Sequence, residues 1–377
     1  AFFCFKLYKY LLIIKREIIM NLFDERHLDL LDKKVKPQFP KTRYQGSKYK
    51  LKEWIDSVLS RVEYDTVLDA FSGTSSVSYT LKKSGKQVFS NDLLLSNYIT
   101  AKALVENNHH TISKEDILFV LTKHSGYPYK DIISNHFEDI YYLSDENIWL
   151  DIVTQNIHRV ENPYKKAILM WALFQSCLSK RPYNLFHRKN LYVRTAIVER
   201  SFGNKATWDK PFSAHFIKFV AEANAAIFSN EKDNTSYNQD ILSLALPEAP
   251  DLVYIDSPYI PSTGTLTLYR DFYHFLEGLS DYDNWLGLID HNLKNKGFSK
   301  LPSSWEDKKK IGSAFDDLFS KFNDSKIAVS YRSDGIPSIN DLTDKLKYHG
   351  KKVSIHQIDY QYVLSEKNTQ EVLILAE

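Results

Sequence analysis

Between residues 66 and 106 two short apolar runs alternate with two helical ones, and this alternation limits the fold more than any other feature of the chain. Thr66-Val67-Leu68-Asp69 has the pattern of a short buried strand. Residues 75–84 place Val77 and Leu81 on one helical face, and Gly85 supplies the stop. Gln87-Val88-Phe89-Ser90 reads as a second strand running into Asn91-Asp92, and residues 95–106 read as a second helix. Strand, helix, strand, helix in that order predicts a parallel sheet. Upstream, Leu51, Ile55, Val58 and Leu59 share a helical face within residues 51–61.

The alternation lapses from about residue 110 to 235, where residues 113–121 and 164–179 read as helices and a basic, aromatic stretch follows. It returns with Leu252-Val253-Tyr254-Ile255 and Ile327-Ala328-Val329-Ser330-Tyr331 as strands. Residues 352–358 and 370–375 then look like a closing antiparallel pair. The chain therefore reads as an α/β sheet domain with a large insertion after its second helix.

At 377 residues the chain is long enough for roughly two or three domains. A formal net charge of only +2 does not announce nucleic acid, so any such argument must rest on local clusters. Two cysteines, Cys4 and Cys177, rule out a disulfide scaffold and suit a reducing cytoplasm. Residues 1–19 are rich in Phe, Ile, Lys and Tyr, as AT-rich DNA translated in frame would be. Lys6, Lys9 and Lys15 break the run short of the roughly 20 apolar residues a membrane span needs, and no small-residue cleavage site follows. We read natural translation as starting at Met20, with residues 1–19 a non-native or disordered leader. Without them the net charge is −1. No membrane association is expected.

Four stretches carry candidate chemistry. Asp256-Ser257-Pro258-Tyr259 closes the apolar run 252–255 with an acid, a proline turn and a ring. An acid and a turn carbonyl can accept the two hydrogens of an amine on a flat base while the ring stacks on it. The same residues also fit an ordinary exit from a strand. Asp69-Ala70-Phe71-Ser72-Gly73-Thr74 runs a strand into a glycine turn ahead of a helix N-terminus, where free N–H groups gather. A dinucleotide fingerprint needs more glycines to approach a pyrophosphate, so one glycine suits a ligand without phosphate. Asp92 lies 19 residues beyond Gly73, at the end of the next strand, where an acid can grip ribose hydroxyls. A tight turn with a capping Asp would look similar. Thr42-Arg43-Tyr44-Gln45-Gly46-Ser47-Lys48-Tyr49-Lys50 is a basic loop before a helix. Positive charge there opposes the helix dipole, which points to an anionic or carboxylate partner. Residues 180–194 interleave Arg181, Arg188, Lys189 and Arg194 with Tyr183, Asn184 and His187. Such a mixture suits phosphate contact, base-edge reading and stacking. No His/Cys cluster has metal-ligand spacing.

In this order, TRYQGSK at 42–48, DAFSGT at 69–74, KRPYNLFHRKNLYVR at 180–194 and DSPY at 256–259 resemble the Dam-type DNA adenine-N6 methyltransferases, over roughly residues 40–377. The resemblance implies an α/β, Rossmann-like sheet that binds S-adenosyl-L-methionine, with an inserted, mainly helical target-recognition domain. The catalytic domain would span residues 20–109 and 236–377, and the insertion 110–235. The resemblance implies cofactor contacts at Tyr44, Gly46, Ser47, Lys48, Asp69, Phe71, Ser72, Gly73, Asp92 and, by a weaker match, Asp240. It implies catalysis by Asp256, Ser257, Pro258 and Tyr259, and DNA contacts that include Tyr269 and Arg270 besides those of the basic stretch. Ser257 departs from the family's proline. The carbonyl that accepts the amine hydrogen survives the change, but φ is no longer fixed. The implied partners are double-stranded DNA and a cognate restriction endonuclease. Two rivals remain at this point: a methyltransferase of RNA or of protein glutamine, and a catalytically weak DNA-binding or specificity subunit.

Overall fold

The structure, a computed structural model, describes residues 25–32, 36–198, 205–261, 268–360 and 369–377. The expectations about residues 1–19 and Met20 lie outside the described residues. Contacts divide the chain into two compact units. One comprises residues 44–109, 227–293 and 297–377; the other comprises the described residues up to 43, with 110–226 and 294–296.

The first unit is built on β1 (Thr66–Asp69), β2 (Gln87–Asn91), β3 (Thr235–Tyr237), β4 (Leu252–Ile255), β5 (Ile260–Pro261), β6 (Lys326–Arg332), β7 (Gly335–Ile336), β8 (Val353–Tyr360) and β9 (Thr369–Ala376). Seven of these form one sheet in the order β3-β2-β1-β4-β6-β9-β8. The strands from β3 to β6 in that order are parallel to one another. β9 runs antiparallel between β6 and β8. A parallel sheet is covered on both faces, and its strands are correspondingly apolar. Here the two faces differ. Leu68, Val253, Ile255, Ile327, Val329, Val372 and Ile374 face one way and pack on Ile311, Phe315 and Leu318 of the helix Ile311–Lys321 and on Leu342 and Leu346 of the helix Ile339–Tyr348. The register pairs Asp69 with Ser90 and Tyr254, and Arg332 with Glu371. Because side chains alternate along strands, Asp69, Ser90, Tyr254, Ser330 and Glu371 therefore lie on the opposite face. All five are polar yet buried.

Strand order reverses between β1 and β4, since β2 and β3 continue to one side and β6 to the other. Ligands of such sheets bind beyond the carboxyl ends of the strands at this switch point. Asp69 ends β1, Asp92 follows β2, and Asp256 follows β4.

β3 was not legible in the sequence. It has three residues, too few to show a period, and the Glu106 carboxylate accepts its Ser236 N–H at 2.9 Å. The expected helix over 95–106 is α-helical only over Leu95–Ala101 and continues as the π-helical turn Lys102–Glu106.

The second unit is helical. Its helices include Lys114–Leu121, Ser144–His158, Pro163–Ser179 and Phe212–Ala226. Ser113 and Asp116 form a reciprocal capping box at the first. Asn162 caps the third, with Pro163 at its first position. The helix Pro163–Ser179 is buried almost all round, so it shows little one-sided pattern. Among the described residues no helix is long and apolar enough to cross a membrane.

Candidate active site

A cleft of about 870 Å³ opens within the sheet unit at the carboxyl ends of β1, β2 and β4. Its floor is the turn after β1. The Ser72 N–H donates to Asn91 O at 2.8 Å, so the turn is tied to β2. Gly73 has φ of +50°, a conformation glycine adopts without penalty. Its N–H donates to Asp92 Oδ2 at 2.8 Å, while Asp92 Oδ1 accepts the Leu94 N–H at 2.9 Å. Asp92 therefore does two jobs: it lines the cleft and clamps two turns together. Asp69 is held from below, where its Oδ2 accepts the Ser78 hydroxyl at 2.5 Å. Burial is the main cause that pushes the Asp69 carboxyl up to about 7, and the charges of Asp256 and Asp92 add to it.

The segment 44–48 forms one wall. Tyr44 stacks on Tyr273 at 4.1 Å and on Tyr269 at 5.9 Å, both from the helix Tyr269–Ser280, and its hydroxyl accepts from Asn97 at 3.2 Å. Gly46 has φ of +80°, and a Cβ there would run into the Tyr269 hydroxyl. Ser47 Oγ lies 3.1 Å from Thr74 Oγ1 on the β1 turn. These ties carry Lys48 inward, where it is only 5% exposed.

Lys48 Nζ donates to Asp256 Oδ1 at 2.7 Å. It also lies 3.4 Å from Oε1 of the fully buried Glu371, which accepts the Ser330 hydroxyl at 2.8 Å. Burial raises the Asp256 carboxyl to about 6; Lys48 opposes this rise and Glu371 adds to it. The acid at the head of DSPY thus sits half-buried at the cleft with a lysine ammonium beside it to keep it ionised. Next in sequence, Ser257 is 2% exposed and its Oγ has no hydrogen-bond partner among the described residues. Tyr259 is steadied from behind: Arg332 Nη1 donates to its hydroxyl at 3.1 Å, and the guanidinium lies 4.8 Å from the ring centroid. Asp334 grips that guanidinium through two hydrogen bonds of 2.8 and 2.7 Å. The strands β5 and β7 pair antiparallel and fasten the chain just past Tyr259 to the turn after β6.

The candidate residues Tyr44, Gly46, Ser47, Lys48, Asp69, Phe71, Ser72, Gly73, Asp92, Asp240, Asp256, Ser257, Pro258 and Tyr259 all line this cleft, as do Tyr269 and Arg270. Asp240 lies exposed, with Oδ1 accepting the Leu242 N–H. Arg270 lies over Phe298 at 5.0 Å and donates to Ser299 O. Sequence reasoning missed Glu371, Arg332 and Trp305, whose ring meets Phe71 edge-on at 4.9 Å. An acid opening an apolar strand was the only signal for Glu371.

Lys48 needs a shift of emphasis from the expected cofactor contact, because its ammonium lies against two carboxylates. The basic stretch of the helical unit needs a firmer correction. Arg181 is 1% exposed; its Nε and Nη2 donate to Leu185 O, and its guanidinium covers the Tyr141 ring at 4.3 Å. Arg194 is buried and makes a two-pronged pair with Glu146, both bonds 2.8 Å, while Lys180 reaches the same acid at 2.7 Å. These two arginines are internal ties and are not presented to a phosphate backbone. Tyr183, Arg188 and Lys189 are exposed, and Asn184 and His187 are half-buried.

The unpartnered acceptors of the cleft fit the amine and hydroxyl donors of S-adenosylmethionine. Gln45 Oε1, Asp69 Oδ1 and Ser72 Oγ are buried on the cleft wall without hydrogen-bond partners among the described residues, as expected where a polar ligand completes the network. Among the described residues no group of three or more acidic, His or Cys side chains could hold a metal ion.

Residues 44–323 match the family described as D12 class N6 adenine-specific DNA methyltransferase. The chain is 30% identical over 351 residues to the type II methyltransferase M2.HphI of Haemophilus parahaemolyticus, covering 90% of this chain and 98% of that protein. It is 26% identical to the modification methylase StsI of Streptococcus sanguinis over 88% of this chain. It is 27% identical to the type II methyltransferase M.FokI of Planomicrobium okeanokoites over 89% of this chain. It spans about half the length of each of these last two, 51% in both cases. The match takes in the segment 44–48, the β1 turn and the DSPY turn alike, and the chain belongs to the D12 class of N6 adenine-specific DNA methyltransferases.

Proposed function

We propose that the cleft binds S-adenosylmethionine beside a flipped-out adenine, and that the protein methylates a specific site in double-stranded DNA as the modification half of a restriction–modification pair. The observation that carries this reading is the half-buried, lysine-held Asp256 in the same cleft as the glycine turn of β1. When bound, S-adenosylmethionine supplies an electrophilic methyl group on a sulfonium. Tyr44, Asp69, Phe71, Ser72 and Gly73 would line its methionine side, Asp92 its ribose and Asp240 its adenine edge.

The adenine amine is a poor nucleophile because its lone pair is spread into the ring. Asp256 would accept one of its hydrogens and the Ser257 carbonyl the other, drawing the nitrogen toward tetrahedral geometry and countering the positive charge that develops on it. Asp256 is then the group placed to take the proton released by the methylated amine. Tyr259, backed by Arg332, offers its face to the base. That amine lies inside the duplex, so the base must leave the stack to reach the cleft.

We assign target reading to the helical unit, over residues 110–226, through Tyr183, Asn184, His187, Arg188 and Lys189. Support for the modification role comes from the type II and modification methylase names of the similar proteins. The buried thiol of Cys177 suits a reducing cytoplasm. The test is Asp256→Ala. Methyl transfer should drop by about a thousandfold or more while affinity for S-adenosylmethionine stays within about threefold. Turnover near the wild-type rate in that variant overturns the assignment.

A further inference from the structure

We propose that Glu371 is a positioning residue for methyl transfer: it holds the Lys48 ammonium between two carboxylates and so fixes how Asp256 meets the amine. The inference rests on the reading of Asp256 as the amine acceptor. Glu371 lies on β9, far in sequence from every motif of the cleft, and is fully buried. Its Oε1 is oriented by the Ser330 hydroxyl at 2.8 Å and lies 3.4 Å from Lys48 Nζ. On its other side Lys48 Nζ is 2.7 Å from Asp256 Oδ1. The result is a line of acid, cation and acid running from the interior of the sheet to the cleft. Arg332, cross-strand from Glu371, pairs with Asp334.

A buried carboxylate is expensive to keep charged, and one packed beside a second carboxylate more so. Its presence here makes chemical sense if Lys48 must not commit fully to Asp256. An ammonium shared with Glu371 keeps Asp256 ionised without using up its basicity. An ammonium held by Asp256 alone would weaken that carboxylate as an acceptor and draw it toward the lysine. The charged and titratable groups that face Asp256 are Lys48 from the segment 44–48, Glu371 from β9, Tyr254 on β4, Asp69 at the end of β1, and Tyr269 from the helix Tyr269–Ser280. Of these, Glu371 adds to the rise of the Asp256 carboxyl and Lys48 opposes it.

The test is Glu371→Gln, which keeps the shape and the acceptor for Ser330 but removes the charge. Turnover is followed against pH with unmethylated bacterial genomic DNA and saturating S-adenosylmethionine, alongside S-adenosylmethionine affinity and melting. With Glu371 neutral, Lys48 leans on Asp256. The acid limb of the kcat profile should then move down by about half a pH unit or more, and kcat on the plateau should fall about tenfold. Affinity for S-adenosylmethionine should stay within about threefold, because no cofactor contact changes. A merely structural role would lower activity at every pH and leave the acid limb where it was; that result in a folded variant overturns the proposal. If the Gln variant does not fold, Glu371→Asp, which draws the charge back from Lys48, should give a smaller shift in the same direction, and an unmoved limb there overturns it equally. Asp256→Asn measured in parallel separates the two readings. An inactive Asp256→Asn with an unmoved Glu371→Gln limb defeats the role of Glu371 alone, whereas an active Asp256→Asn defeats both.

Discussion

Asp69 is a carboxylate held out of water and Asp256 one largely so, and their chemistry works against the stability of the fold. Each binds its proton more tightly when folded than when unfolded: Asp69 rises from 3.8 to about 7 and Asp256 from 3.8 to about 6, burial being the main cause in both. Between those values the folded state holds the extra protons, so their contribution to stability falls as pH rises through the window. Asp69→Asn should therefore raise the melting midpoint near pH 8 by about 3 °C while weakening S-adenosylmethionine binding, a gain that vanishes near pH 4. Melting curves across that range check it, and an equal gain at both ends contradicts it. Ser257 gives a second test. Its carbonyl is the proposed acceptor and its hydroxyl has no partner among the described residues, so Ser257→Ala should leave kcat within about threefold. A loss of thirtyfold or more would mean that the hydroxyl itself touches substrate. Much of the cleft was legible as motif order: Asp69, Gly73, Asp92 and Asp256 fall where strands end. What the sequence could not reveal was pairing. Lys48 and Asp256 lie 208 residues apart, and Glu371 looked like one more strand residue.

At the scale of elements, positions are held by a few polar ties. The segment 44–48 depends on Gly46, whose positive φ and close approach to Tyr269 exclude a side chain. Gly46→Ala should cost about 1–2 kcal/mol from the backbone alone, before the collision with Tyr269 is counted, and weaken S-adenosylmethionine about tenfold or more in an equilibrium titration. Glu277 performs the same service elsewhere: it accepts the N–H groups of Leu95 and Ser96 at 2.9 and 2.8 Å, capping the helix Leu95–Ala101 from the helix Tyr269–Ser280. Glu277→Ala should destabilise by about 1–3 kcal/mol in urea unfolding, since two partly buried N–H groups lose their partner. The strands β1, β2, β4 and the β8–β9 pair were readable because apolar runs bounded by acids and turns carry their own signal. The helices Ser144–His158 and Phe212–Ala226 were not. Buried polar residues such as Asn147, Asp151, Thr154 and Asn156 blur the apolar face of the first, and the second is apolar round much of its girth.

For the molecule as a whole, charge sorts into structure and contact in a way its net value hides. Arg194 belongs to structure. Arg194→Ala leaves Glu146 short of one of its cations in a buried site and should cost about 3–5 kcal/mol, read as an earlier unfolding midpoint. Arg188 and Lys189 are exposed in the same stretch. Replacing both with Ala should leave melting unchanged, weaken DNA binding, and reduce the salt dependence of binding by about two counterions. The sequence alone offered Arg181, Arg188, Lys189 and Arg194 as equivalent, because burial is a property of the folded unit. In the proposed reaction Asp256 directs a methyl group to the adenine amine of DNA. This role is tested most directly by incubating the protein with labelled S-adenosylmethionine and unmethylated bacterial DNA, then hydrolysing the DNA and separating its nucleosides. Label should appear in N6-methyladenine with wild-type protein and not with Asp256→Ala, although that variant still binds S-adenosylmethionine. Label in another nucleoside, or in N6-methyladenine at undiminished yield from the variant, would contradict it.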